Sequence, residues 1–280
     1  MPDIAEKREI FRRLHDSGCF VIPNPWDVGS ARYLQHLGFK ALATTSLGYA
    51  YTTGYADGEV PLGLMLDHIA ELVETSDVPV NADFEGGFAH DPEGVAENVT
   101  ACVSTGAAGL SIEDATGDKA VPLYPFEQAL ARIKAARAAI DKTGEQVMLT
   151  ARSEGFIRGR PDMDETIRRL QAFAEAGADC LYAPGLTSRE EMKAVIEAVA
   201  PKPVNILVGW PSTLSVQDIA SLGARRISVG GALARSAWGG FMRAARQIAE
   251  GGSFGGFADA APAADLNALF REDRQKRSDA

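Results

Sequence analysis

Strand-like and helix-like segments alternate eight times along this chain, in units of about 25 to 35 residues, with no hairpin turn joining any two of them. The strand-like runs are Phe20–Pro23, Ala41–Thr44, Val78–Ala82, Gly109–Ile112, Val147–Arg152, Cys180–Ala183, Pro203–Val208 and Arg226–Val229. They are short, rich in β-branched or small residues, and read as parallel strands covered on both faces. Helical patterns lie between them: Ala31, Leu34 and Leu37 recur at helical spacing after Asp27, a good N-cap, and before Gly38, placed as a C′ glycine. Eight such units favour an α/β chain folded as a (β/α)8 TIM barrel. A dinucleotide-binding sheet is disfavoured, because no strand runs into a glycine-rich phosphate fingerprint.

Residues 1–250 form the barrel in this reading, preceded by an amphipathic helix from Ile4 to His15. Residues 251–280 form a C-terminal extension: a glycine-rich hinge around Glu250 to Gly256, a short helix from Ala263 to Phe270, and a solvated charged tail from Arg271. Leu266, Leu269 and Phe270 need a surface to bury, and a second subunit would supply one, so a homo-oligomer is expected. The 280 residues suit one domain, and the net charge of -10 argues against nucleic acid or an anionic membrane as the main partner. A small molecule is the expected ligand. Cys19, Cys102 and Cys180 have no metal-type spacing and read as reduced core residues. The N-terminus lacks an apolar signal region, and no run approaches the ~20 apolar residues of a membrane span, so a cytoplasmic location is expected.

The barrel rule brings the carboxyl ends of the strands to one face. Those ends carry Thr45, Ser46, Leu47, Asn81, Asp83, Glu85, Glu113, Arg152, Glu154 and Asn205, with Asp57 on the loop of the second unit, which reads as running from Thr45 through Tyr51 and Gly54 to Gly58. Carboxylates gathered in one pocket raise one another's pKa unless a cation sits among them, and a hard divalent ion, Mg²⁺ or Mn²⁺, answers that need. Asp83, Glu85, Glu113 and Asn81 are the candidate metal group, in contact with the ion or its waters. Arg152 offers a fixed fork for a substrate carboxylate or phosphate, Thr45, Ser46 and Leu47 add an oxyanion-type cradle, and Asn205 is a further substrate-binding candidate. Arg152, Glu154 and Asp57 are the candidate catalytic residues. A bland reading stands beside each: Asp114 as a cap or orienting group, Glu85 and Glu154 as surface charges, and Val229-Gly230-Gly231 as a tight turn instead of a phosphate grip.

In combination and order these motifs resemble the isocitrate lyase and phosphoenolpyruvate mutase superfamily. The resemblance runs from Asn24-Pro25-Trp26-Asp27 through Thr45-Ser46-Leu47-Gly48, Val80-Asn81-Ala82-Asp83, Ile112-Glu113-Asp114 and Ala151-Arg152-Ser153-Glu154 to the last barrel helix. It implies Mg²⁺, small 2-keto or 2-hydroxy acid substrates handled through an enolate, and tetramers that exchange a C-terminal helix. Two features depart from the family pattern. Asn81 stands where an aspartate is usual, and the loop Ala115–Pro122 has neither the cysteine nor the histidine of the lyase branch, whose cysteine is the general acid.

The expectation is therefore a carbon–carbon lyase that draws its proton from water or a strand-end group. Lys119, Tyr49, Tyr51 and Glu154 are the candidates, with Glu154 preferred for its rigid place beside Arg152. On this reading isocitrate is a poor substrate and a smaller keto acid such as oxaloacetate a better one. The alternatives are phosphonate P–C chemistry of the mutase or hydrolase type, and a barrel that binds a keto acid without turning it over.

Overall fold

The structure, a computed structural model, describes residues 2–278. Its elements run α1 (Ile4–Leu14), β1 (Phe20–Ile22), α2 (Val28–His36), β2 (Leu42–Ala43), α3 (Ser46–Thr53), α4 (Leu62–Thr75), β3 (Val80–Asp83), α5 (Pro92–Ser104), β4 (Gly109–Glu113), α6 (Phe126–Thr143), β5 (Met148–Arg152), α7 (Met163–Glu175), β6 (Cys180–Tyr182), α8 (Arg189–Ala198), β7 (Val204–Leu207), α9 (Val216–Ser221), β8 (Arg226–Ser228), α10 (Ala232–Gly251) and α11 (Ala263–Ser278). The strands pair in parallel in the order β1-β8-β7-β6-β5-β4-β3-β2. Between β1 and β2 the ladder shrinks to one backbone bond, Ala43 N–H to Pro23 O at 3.1 Å. Asn24 Nδ2 donates to Thr44 O at 2.9 Å beside it, and together these close the barrel.

The core lies between the sheet and its helices, where Ile69, Val99, Ile133, Leu170 and Val195 meet the outward faces of Leu110, Leu149 and Leu181. The amino-terminal end is plugged by α1, whose Phe11 is fully buried against Ile22, Ala41 and Met148. Arg8 fastens that plug by donating to the Ala107 and Val103 carbonyls at 3.1 and 3.0 Å. Chemistry is left to the opposite end.

Three local expectations are corrected. Residues 46–53, read as loop, form α3: Thr45 caps it by accepting the Gly48 amide at 3.2 Å, and its Tyr and Thr content masked the helical pattern. The glycine-rich hinge is not an open linker. α10 runs through Gly251, Gly252 takes the left-handed cap conformation (φ 59°), and glycine at 256 lets the chain turn lie directly on Ala244 of α10. The charged tail is helical as far as Ser278, because Lys276 and Arg277 pair one turn back with Glu272 and Asp273. Asp273 also grips Arg32 of α2, so α11 rests on α2 of its own chain. Residues 279 and 280 of that tail lie outside the described residues.

Candidate active site

The strand ends open into a cavity of about 860 Å³ lined by Thr45, Ser46, Leu47, Asp57, Asn81, Asp83, Glu85, Glu113, Arg152, Glu154 and Asn205. The strand-end candidates and Asp57 therefore reach one cavity. Asp83, the last residue of β3, is its hub. Its amide donates to Thr44 Oγ1 at 2.8 Å, which fixes the backbone. Its Oδ2 accepts from the Ser46 amide and hydroxyl at 3.0 and 2.9 Å, and its Oδ1 accepts from Arg152 Nη1 at 2.8 Å.

Arg152, at the end of β5, stands among three acids. It pairs with Asp83, with Glu113 at 3.0 Å through Nη2, and with Glu154 at 2.9 Å through Nε. Arg158, from the loop before α7, reaches back to the other oxygens of Glu113 and Glu154 at 3.1 and 3.4 Å. Glu154 is therefore no surface charge: its side chain is 1% exposed and both oxygens face guanidinium groups. Its amide donates to Asp114 Oδ1 at 2.8 Å, while Asp114 Oδ2 accepts from Arg169 at 3.0 Å. Asp114 thus orients the β5 end and stays out of the cavity.

The remaining acids are held against their preference. Glu85 sits in the left-handed region (φ 46°), an uncommon conformation for such a side chain, and Oε1 is buried without a hydrogen-bond partner. Burial, with the charges of Asp83, Glu113 and Asp57 behind it, pushes its carboxyl up to about 8. Burial also raises Glu113, with Glu154 adding to the effect and Arg152 opposing it. Asp57, at the exposed mouth, is raised by burial of its inner side and then by Asp83 and Glu113. Asn81, two residues before Asp83 on the same face of β3, keeps a buried Oδ1 with no donor.

These orphaned oxygens test the fit of a divalent cation. Among the described residues no group of three or more His, Cys, Asp or Glu side chains forms a ready cage, because Arg152 occupies the centre of the acids. A hydrated Mg²⁺ needs only one or two direct carboxylates and hands the rest of its shell to water. Asp83 for direct contact, with Glu85, Glu113 and the Asn81 carbonyl to receive water protons, is a donor set of that kind. The residues fit the ion.

Other placements differ from the sequence reading. Asn205 lies at the cavity floor with its amide engaged on both sides, donating to Ser228 Oγ and accepting from Arg226 Nε, both at 2.9 Å. The amides of Val229 and Gly230 both donate to Asn24 Oδ1, so this turn is not a free phosphate grip. Tyr49 stacks on His68 and Tyr51 packs edge-on against Trp238, and neither lines the cavity. Arg158, Tyr124 and His90 do line it and were not assigned to it from sequence. Arg158 carried one legible sign, its i,i+4 spacing from Glu154.

A family model, Phosphoenolpyruvate phosphomutase, matches residues 11–249 of this chain. The chain belongs to this family. A crystal structure from Burkholderia cenocepacia J2315, described as that of a lyase/mutase, is similar at 47% identity with a TM-score of 0.92, covering 96% of this chain and 97% of that one. Oxaloacetate decarboxylase of Paraburkholderia xenovorans (strain LB400) is 30% identical over 80% of this chain and 74% of its own length. The structure of an oxaloacetate acetylhydrolase in complex with its product oxalate is 25% identical with a TM-score of 0.86, covering 100% of this chain and 98% of that one. The chain is accordingly an enzyme of the isocitrate lyase/phosphoenolpyruvate mutase superfamily, and the proteins it is similar to are named as a decarboxylase, an acetylhydrolase, a lyase and a phosphonomutase. Among the described residues no helix is long and apolar enough to cross a membrane.

Proposed function

We propose that this enzyme is a Mg²⁺-dependent carbon–carbon lyase that takes a small 2-keto or 2-hydroxy dicarboxylic acid, of the size of oxaloacetate, through an enolate. One observation carries the reading: a fixed guanidinium, Arg152, stands among Asp83, Glu113 and Glu154 at the strand ends, next to orphaned oxygens on Glu85 and Asn81. Asp83, with Glu85, Glu113 and Asn81 around its waters, would hold the ion. When bound, Mg²⁺ supplies Lewis-acid stabilisation to the oxygens of a chelating keto acid. Mn²⁺ suits the same donors.

The chain's own residues do the rest. Arg152 keeps two N–H bonds beyond those to Asp83, Glu113 and Glu154, and these are the donors it offers a substrate carboxylate, while Glu154 holds Nε and fixes the plane of the group. The start of α3 lies at the end of β2; its Ser46 amide is taken by Asp83, so the Leu47 amide and the Thr45 hydroxyl proton are the donors left for a second oxygen. Asp57 closes the mouth, and Asn205 with Arg226 and Ser228 forms a polar floor. As carbon–carbon bond cleavage leaves an electron pair on the keto acid, these donors face the growing negative charge. Turnover of oxaloacetate, 2-methylisocitrate, isocitrate and phosphonopyruvate with Mg²⁺ tests the reading. Oxaloacetate is expected to be cleaved and isocitrate poorly. Turnover of phosphonopyruvate alone would move the enzyme to P–C chemistry, and tight binding without turnover would leave a keto-acid-binding barrel.

The same proposal includes a homo-oligomer. Ala234 is the buried residue of α10, whose Trp238, Phe241 and Met242 remain 36, 62 and 43% exposed, and Leu266 and Phe270 of α11 are uncovered too. Covering such side chains contributes about 2 kcal/mol each. The Arg32–Asp273 contact is one that an α11 exchanged between subunits would make across the interface. Light scattering of the full chain at micromolar concentration should give a multiple of 29.8 kDa, and a monomeric mass would remove the idea.

A further inference from the structure

The loop Ala115–Pro122 has neither cysteine nor histidine, yet its return path brings a tyrosine into the cavity wall. Ala115 pairs antiparallel with Leu123, and the Thr116 amide donates to Pro122 O at 3.1 Å. The chain thus leaves the strand end and comes straight back to it. The Tyr124 amide then donates to Asp114 O at 2.9 Å, which sets Tyr124 beside the Glu113–Asp114 end of β4 and in the cavity wall.

Tyr124 is 6% exposed, and its phenol oxygen lies 2.6 Å from Nδ1 of His90. His90 belongs to the loop after β3, lines the same cavity and is exposed to solvent. One short hydrogen bond therefore links a buried phenol in the cavity to an imidazole in water. Arg132, from α6, holds both ends. Its guanidinium lies 4.1 Å from the Tyr124 ring centroid, and it donates to the carbonyls of Gly86, Ala89 and His90. Gln128 adds a bond to His90 O at 3.3 Å.

We propose that Tyr124, backed by His90, is the group that protonates the enolate carbon, a role that rests on the enolate chemistry above. Bond cleavage leaves the electron pair on the enolate; the Tyr124 O–H bond breaks and its proton forms the new C–H bond. The phenolate takes the Nδ1 proton of His90, whose Nε2 takes one from water; a 2-keto acid that leaves as CO2 and an enolate thus consumes one solvent proton per cycle, whereas a 2-hydroxy acid returns one from its hydroxyl as the new carbonyl forms. The tautomer in which His90 Nδ1–H donates to the phenol oxygen leaves the phenol proton free to point into the cavity.

The charged groups around the phenol are Glu113 from β4, Arg132 from α6 and His90 itself, with Asp91 and Asp114 acting on Arg132. Burial raises the phenol above its ordinary value, with Arg132 opposing and Glu113 assisting, which keeps it protonated at neutral pH as an acid must be. The other candidates are worse placed. Both oxygens of Glu154 face guanidinium groups, Tyr49 and Tyr51 lie outside the cavity, and Lys119 sits on the exposed part of the loop.

Kinetics of Tyr124→Phe, His90→Gln and Glu154→Gln on the keto acid the wild type cleaves best, beside the affinity of each for oxalate as a planar stand-in for the enolate, test the assignment. Tyr124→Phe should lower kcat by about 10²–10⁴-fold while oxalate affinity and Tm hold, the usual span for loss of a general acid. His90→Gln should lower kcat less and move the pH profile. Undiminished kcat in Tyr124→Phe, or a fall in oxalate affinity that matches the fall in kcat, would overturn the proposal while the lyase reading stood. Turnover of nothing in the panel by the wild type would sink both.

Discussion

Replacing Asp83 by alanine is expected to abolish turnover and its dependence on Mg²⁺ together, with kcat/KM falling at least about 10³-fold, or roughly 4 kcal/mol of transition-state stabilisation. The size follows from the number of groups that meet at this one side chain. Oδ1 fixes Arg152 and Oδ2 fixes the start of α3, so a single truncation loosens both the carboxylate fork and the amide cradle while removing the acid best placed for direct metal contact. Stability should change little. Glu85 and Asp57 are raised in part by the Asp83 charge, and its loss lets both carboxyls fall back towards ordinary values. Calorimetric titration with Mg²⁺ separates this outcome from simple misfolding: heat of binding should vanish while the melting curve persists. Mg²⁺ binding unchanged in the variant would remove the assignment.

The barrel was legible because buried parallel strands leave an uninterrupted apolar trace. Each of the eight runs falls within one or two residues of the observed strand, and the polar residue that ends a run, Asp83, Glu113 or Arg152, marks where the sheet meets solvent. The strand-end residues that line the cavity followed from those ends. What the sequence could not carry was geometry set at long range. That Arg152 stands among the acids depends on the register Glu113↔Arg152 between β4 and β5 and on the tilt that brings β3 near. Tyr124 and His90 are 34 positions apart and meet only because the loop after β4 folds back on itself. The charges of α11 read as a solvated tail because a helix held by i,i+4 pairs and one distant arginine has no apolar stripe. α3 was hidden for a related reason, since a capped helix rich in Tyr, Thr and Gly resembles a loop until its partners are known.

Arg152→Met should be as damaging to activity as the loss of Asp83 and, unlike it, should destabilise the metal-free protein in a pH-dependent way. The guanidinium opposes the burial that raises Glu113 and Glu154, so removing it lifts both carboxyls further. A carboxyl raised in the folded state favours folding at low pH and loses that contribution as pH climbs from its unfolded value of about 4.3 through its folded one. Towards low pH the raised carboxyls take up protons, which confines the cost to lost hydrogen bonds. Near pH 8 the fold must either keep its protons against bulk solvent or bury two carboxylates that share Arg158 alone, at a cost of about 3–5 kcal/mol. For a chain of this size that is a drop of roughly 10 °C in Tm. Melting curves in EDTA at the two pH values measure it: the gap between wild type and variant should widen from pH 5 to pH 8 and narrow again when Mg²⁺ is added. A gap that stays constant with pH would mean that Arg152 does not neutralise these acids in the folded enzyme, and the arrangement of the site around it would have to be redrawn.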